Sequence, residues 1–318
     1  MVTIANIADI LAEKDNIVIL CHSIPDGDTI GSAYALYDAL KNIGKTVRIE
    51  CADKFDQRFS HITDGIEFTE FVPQFVVAVD VADAKLLGKK QDEYKTVDLC
   101  IDHHGTNKPF AKITYVESTA SSACEIIFDL CCKLCGDVNE FQAAALYTGI
   151  VTDTGCFSYS NTTAHTHSVV AYLMNKGIDC WQLNQKLFAK NKARLLLVAT
   201  VLSEARFLYK DKVAVQYVDD KIKNRVGACD DDMGCLASLL QEVEGVMLGI
   251  TIREMKKDTF KLSVRSKDPV SASEFCKKFG GGGHFNASGC TIEGSFDEVY
   301  PKIIAEAKET CIEAGIIE

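Results

Sequence analysis

The chain has 318 residues, 47% hydrophobic and 25% charged, which excludes a disordered or fibrous protein and leaves room for two domains with real cores. A formal net charge of −11 excludes a surface built to grip long nucleic acid, because that affinity rests on many Lys and Arg contacts to phosphates; a small anionic substrate bound locally stays open. Fourteen cysteines scattered through apolar runs such as Leu20-Cys21 and Leu99-Cys100 read as reduced packing residues, not as a disulfide framework.

In chain order, residues 1–20 lack a basic leader region, and Glu13, Lys14 and Asp15 interrupt their apolar positions. Neither a secretory signal nor a membrane span is predicted, and a cytoplasmic location is expected. Short β-branched runs then alternate with helical stretches: IVIL at 17–20, a helix near 29–43, KTVRIEC at 45–51, FVVAVDV at 75–81 and VDLCID at 97–102. That rhythm predicts a largely parallel sheet covered by helices. Helical pattern continues through 121–135, 139–151 and 163–176, with Gly136, Gly155 and Gly177 near the ends. Cys131, Cys132 and Cys135 fall at helical spacing, but a zinc site needs a fourth ligand, so packing is the expectation.

From about Trp181 to Phe207 the chain contains no Gly or Pro and predicts one rigid helix. Strand patterns follow at 213–218, 245–254 and 260–266, then a short helix, a flexible glycine run at 280–283 and a terminal helix near 296–314. The expected fold is α/β: an N-terminal parallel-sheet domain over residues 1–185, a helical connector over 186–208 and a smaller C-terminal α/β domain over 209–318.

The chemistry concentrates where strands end. His22, Asp26 and Asp28 follow the first strand, Asp80 ends FVVAVD, and Asp102, His103 and His104 end VDLCID. In an open α/β sheet that edge is where ligands bind. Any one of these aspartates could simply cap a helix or turn the chain. Five carboxylates crowded at one edge, with Asp153 the last, would instead repel and raise one another's pKa unless cations neutralised them. Mixed imidazole and carboxylate donors suit manganese, with magnesium as substitute. His61, His165 and His167 are expected at the surface or in caps.

HSIPDGD at 22–28, VAVDVAD at 77–83, IDHH at 101–104 and TDTGCFSYSNTT at 152–163 resemble, in order, the four motifs of the DHH phosphoesterase superfamily. GGGGHFNASGC at 280–290 resembles the signature of its DHH-associated C-terminal domain, so the likeness spans nearly the whole chain. Length, connector and SVRSKD at 263–268 most resemble the bacterial nanoRNase/pAp phosphatase group.

The resemblance implies one metal on His22, Asp26 and Asp80 and a second on Asp28, Asp80, His103 and Asp153, with Asp80 as bridge. It implies hydrolysis of short RNAs to mononucleotides and of pAp to AMP and phosphate. His104 is then expected to bond a phosphate oxygen or help protonate the leaving oxygen, with Asp102 orienting it. Arg265, Gly281, Gly282, Gly283, His284 and Ser288 are expected to hold the substrate's far end. Expected partners are short RNAs and small nucleotides, without long duplexes or membranes; a homodimer is expected by analogy with family members. Two other readings stay open: turnover of a cyclic dinucleotide or pApA, and a nucleotide-binding regulator without catalysis.

Overall fold

The computed structural model describes residues 2–318, which fall into two compact units, residues 1–189 and 190–318. In the first, helix α1 (Ile4–Glu13) precedes strand β1 (Ile17–Leu20), α2 (Gly27–Asn42) and β2 (Val47–Glu50); the short α3 (Ser60–Thr63), β3 (Phe75–Val79) and the short α4 (Lys90–Glu93) come next. Then follow β4 (Leu99–Asp102), β5 (Ile113–Val116), α5 (Ala123–Cys135), α6 (Glu140–Asp153), α7 (Ala164–Met174) and α8 (Cys180–Phe188).

The five strands form one parallel sheet in the order β2-β1-β3-β4-β5. Burial on both faces explains why β1 and β3 read as unbroken apolar runs. Alternate residues serve opposite layers: Ile17 and Ile19 join the core under α1, α2, α5 and α6, whereas Val18 and Leu20 pack with Val76, Ala78 and Leu87. Because all strands run one way, the carboxyl ends of neighbouring β1, β3 and β4 lie along a single edge. α1 went unread in the sequence as a helix; Thr3 caps it, and Ile7, Ala8 and Leu11 form its buried stripe.

The second unit contains α9 (Lys192–Ser203), β6 (Arg206–Leu208), β7 (Val213–Val218), α10 (Asp220–Val226), α11 (Leu236–Leu239), β8 (Leu248–Lys256), β9 (Thr259–Ser266), α12 (Ala272–Lys277), β10 (Gly282–His284), β11 (Ala287–Glu293) and α13 (Phe296–Glu313). Its six-stranded sheet has the order β10-β11-β9-β8-β7-β6 and is antiparallel except at β7–β8. Phe275 of α12 and Val299, Ile303 and Ala307 of α13 share a core with Ile250, Leu262 and Val264 of the sheet.

Two expectations need correction. The stretch expected as one rigid helix is two, α8 and α9, because Asn191 turns to extended backbone and accepts a hydrogen bond from Arg194 N (2.7 Å) as the cap of α9; its last residues pair as β6 with β7. The glycine run is not a flexible loop. Gly282–His284 is a paired strand, and a Cβ at Gly281 would lie 2.3 Å from Gly289 O and 2.4 Å from Cys290 Cβ, so glycine is what lets the two backbones meet. No helix among the described residues is long and apolar enough to cross a membrane.

Helices α2 and α6 pack closely through glycine: a Cβ at Gly31 would sit 2.3 Å from Ala145 O, a backbone atom that cannot step aside. The Gly31→Ala protein is therefore expected to be less stable by about 1–3 kcal/mol despite the better helix propensity of alanine. Urea unfolding measures this.

Candidate metal centre

His22 follows β1, and its Nδ1–H donates to Ser23 O at 2.8 Å. That bond commits Nδ1 and leaves Nε2 facing Asp26 Oδ1 and Asp80 Oδ2, both 3.6 Å away. His103 is set the same way: Nδ1 meets Ala120 O at 3.4 Å, and Nε2 faces Asp80 Oδ1 (3.6 Å), Asp28 Oδ2 (3.7 Å) and Asp153 Oδ2 (3.7 Å). Two clusters, His22–Asp26–Asp80 and Asp28–His103–Asp153, lie on either side of Asp80, whose two oxygens face one each, and Asp80, His103 and His104 make a third group of possible donors.

These separations exceed a hydrogen bond but suit donor atoms gathered about a shared ion, each about 2.0–2.2 Å from it. Asp80 Oδ1 and His103 Nε2 are buried and have no hydrogen-bond partner. Such orphans cost about 1–3 kcal/mol each, more when charged, unless a ligand satisfies them. The donor set therefore fits divalent cations, for which imidazole and carboxylate are both common ligands.

The backbone positions the acids. Asp26 caps α2, its Oδ1 accepting from Asp28 N (3.0 Å) and Thr29 N (3.2 Å). Asp28 reaches the start of α5, accepting from Ala123 N (2.7 Å) and Cys124 N (2.9 Å), where the helix dipole favours an anion. Asp153 is the last residue of α6, where the dipole opposes a carboxylate. Asp80 takes a left-handed backbone (φ 57°) tied by its N–H to Ile101 O, a conformation that aspartate tolerates better than most residues.

Crowding shows in the proton affinities of the metal-free site. Burial and then the charge of Asp26 raise Asp28 to about 6. Burial and then Asp28 raise Asp153 to about 7, and the same two influences push Asp80 well above the carboxylate range. Burial opposes a charge on His22, but the carboxylates of Asp26 and Asp80 prevail and raise it to about 11. His104 is 45% exposed; its Nδ1 donates to Asp102 Oδ1 (2.8 Å), and that bond raises it to about 9. Asp102 itself is fully buried and also accepts from His103 N (2.8 Å) and Asn107 Nδ2 (2.6 Å), so it orients both histidines from behind.

Sequence reasoning passed over Asn107 and Asn161. Asn161 Nδ2 spans Ser121 O (2.9 Å) and Asp153 Oδ2 (3.4 Å). Both lie within or just beyond the motifs quoted above, which was the available signal.

In the second unit, the register puts His284, Ala287, Arg265 and Gly249 in one cross-strand row, with Gly282, Gly289, Ser263 and Thr251 in the next. Small residues leave space on this face beside Arg265, and Arg253, Lys261 and Ser263 line an adjoining cavity of about 250 Å³ with Asp230, which pairs with Arg253 at 2.7 Å. Gly283 and Ser288 belong to the opposite face. Ser288 is buried and its Oγ donates to His284 O (2.9 Å), so it holds the hairpin together. Gly281 serves close packing at the hairpin's base.

Residues 16–150 match the DHH family, N-terminal domain, and residues 210–313 match the DHHA1 domain. The chain is similar to the bifunctional oligoribonuclease and PAP phosphatase NrnA of Thermus thermophilus, 29% identical over 98% of this chain and 95% of that protein. The cyclic-di-AMP phosphodiesterase GdpP of Bacillus subtilis is 26% identical over 90% of this chain and 46% of its own length. In fold, the crystal structure of an exopolyphosphatase-related protein from Bacteroides fragilis superposes with a TM-score of 0.83 at 25% identity, covering 97% of this chain and 96% of that one.

A carboxyl whose pKa is raised by folding binds its proton more tightly in the native state, so its contribution to stability falls as pH climbs from the unfolded value towards the folded one. In a chelator, Asp153→Asn is thus expected to melt higher than the wild type at pH 7.5, with the difference shrinking towards pH 5. Added Mn2+ should reverse the order at pH 7.5. Thermal melts at both pH values check this.

Proposed function

The chain belongs to the DHH family, with a DHHA1 domain as its second unit, and on that footing we propose that it is a manganese-dependent phosphoesterase that cuts short oligoribonucleotides to mononucleotides and removes the phosphate of pAp. The observation that carries this reading is the pair of imidazole–carboxylate clusters sharing Asp80, with its two orphaned buried atoms. Similarity along nearly the full length to an oligoribonuclease and PAP phosphatase supports the substrate class.

Two bound divalent cations would supply Lewis acidity towards phosphate oxygens and the acidity that ionises water near neutral pH. His22, Asp26 and Asp80 would hold one, and Asp28, Asp80, His103 and Asp153 the other. His104 keeps its Nδ1 on Asp102, which leaves Nε2 to donate a hydrogen bond to a phosphate oxygen or a proton to the departing sugar oxygen. Asp102, locked by three donors, holds that ring in place. In the second unit, Arg265 offers a planar fork to a phosphate, His284 lies in the same row, and Gly282 and Gly289 leave room for the anion.

A second reading, turnover of a cyclic dinucleotide or of pApA, draws on the likeness to a cyclic-di-AMP phosphodiesterase. Side-by-side turnover of two- to five-residue RNAs, pAp, pApA and c-di-AMP by the manganese-loaded protein separates the two. Short RNAs and pAp should be consumed fastest; if both stay intact while c-di-AMP is cut, the first reading is wrong.

Replacing Asp80 with Ala removes the ligand common to both clusters, and turnover should fall by about 100-fold or more. Arg265→Ala should act mainly on KM, raising it by about tenfold or more, the worth of a lost charge-assisted hydrogen bond, with kcat little changed. Steady-state kinetics with pAp reads both.

A further inference from the structure

Glu125 is a buried carboxylate, 3% exposed, on the first turn of α5 and is not one of the clustered metal donors. Ser122 caps that helix by accepting from Glu125 N at 3.2 Å. A glutamate in this position commonly reaches back to the N–H of the capping residue. Here it reaches one residue further: Oε2 accepts from Ser121 N (3.1 Å), Ser121 Oγ (2.5 Å) and, from α7, Thr166 Oγ1 (3.1 Å). Three donors converge on one oxygen, and the turn entering α5 is clamped between that helix and α7.

The clamped turn is the one that three metal-cluster residues lean on. Ala120 O meets His103 Nδ1. Ser121 O takes Asn161 Nδ2, the group that also reaches Asp153. Ala123 N and Cys124 N hold Asp28. These three, His103, Asp153 and Asp28, form one cluster; His22, Asp26 and Asp80 form the other and are set by β1, β3 and the cap of α2.

We infer that Glu125 is the positioning residue of the Asp28–His103–Asp153 cluster alone, acting through the backbone of residues 120–124. The inference rests on the two-ion reading above. The Glu125 carboxyl oxygen accepts from three donors that an apolar side chain leaves unpaired, and misplaced supporting groups cost metal affinity about 10–100-fold.

Calorimetric titration of metal-free protein with MnCl2 tests this without any turnover. Wild type should show two classes of site. Glu125→Ala should weaken one class by at least about tenfold and leave the other within about threefold. Glu125→Gln should recover part of the loss, because its amide oxygen still accepts from Ser121 and Thr166. Combining Glu125→Ala with Asp26→Ala should weaken both classes, which assigns the one that Glu125→Ala spares to the His22 cluster. Where Glu125→Ala does not fold, Glu125→Gln and Thr166→Ala should still weaken one class selectively. Equal weakening of both classes, or of neither, in a variant with wild-type circular dichroism overturns the inference and leaves the two-ion reading standing. A single class in the wild type overturns that reading and the inference together.

Discussion

Asp80 stands at the carboxyl end of β3, the middle strand of the parallel sheet, 3% exposed, with Asp28 and three imidazoles around it. Ionised carboxylates brought this close in a buried place repel, and folding cannot spread them without losing the strand order that delivers them. Hydrogen bonds from the backbone relieve Asp26, Asp28 and Asp102. Asp80 Oδ1 receives none. In the metal-free site protons on Asp80, Asp153, His22 and His104 ease that repulsion, and divalent cations would take their place.

The support is divided by element. The cap of α2 and the end of β1 set one cluster, while the start of α5 and the end of α6 set the other. Helix α5 meets Asp28 with its favourable end, whereas α6 presents Asp153 from its unfavourable one. The acid worst placed by the helix dipole is thus also raised by burial to about 7, as a group dependent on a cation would be. Glycines allow this closeness, since a Cβ at Gly149 of α6 would fall 2.9 Å from Asp28 Oδ1. In the second unit the small residues Gly282, Gly289 and Ala287 likewise leave space on the sheet face that carries Arg265 and His284.

The residues of the candidate metal clusters could be picked out because most follow directly on a strand or open a helix in the chain. A β-branched run followed by His22, Asp80 or Asp102 says where a strand stops and what it carries, and five acids expected at one sheet edge already point to a cation. The parallel sheet and the smaller second unit followed from the same rhythm and motifs. The connector misled because the absence of Gly and Pro argues for helix but says nothing of Asn191, whose side chain starts a new one. The glycine run misled for the opposite reason: glycine marks freedom in isolation and close approach when a neighbouring strand lies against it.

What the sequence determined by itself was the identity and order of the chemical groups, since residue type and spacing within a strand-and-turn unit suffice for that. The tertiary structure decided which atoms of those groups are free. The orientation of His103, the orphaned oxygen of Asp80 and the hold of Ala123 and Cys124 on Asp28 arise from contacts between distant elements, the last across 95 residues. No local pattern encodes such a contact, because it exists only once packing has brought α5 against α2 and closed both off from water.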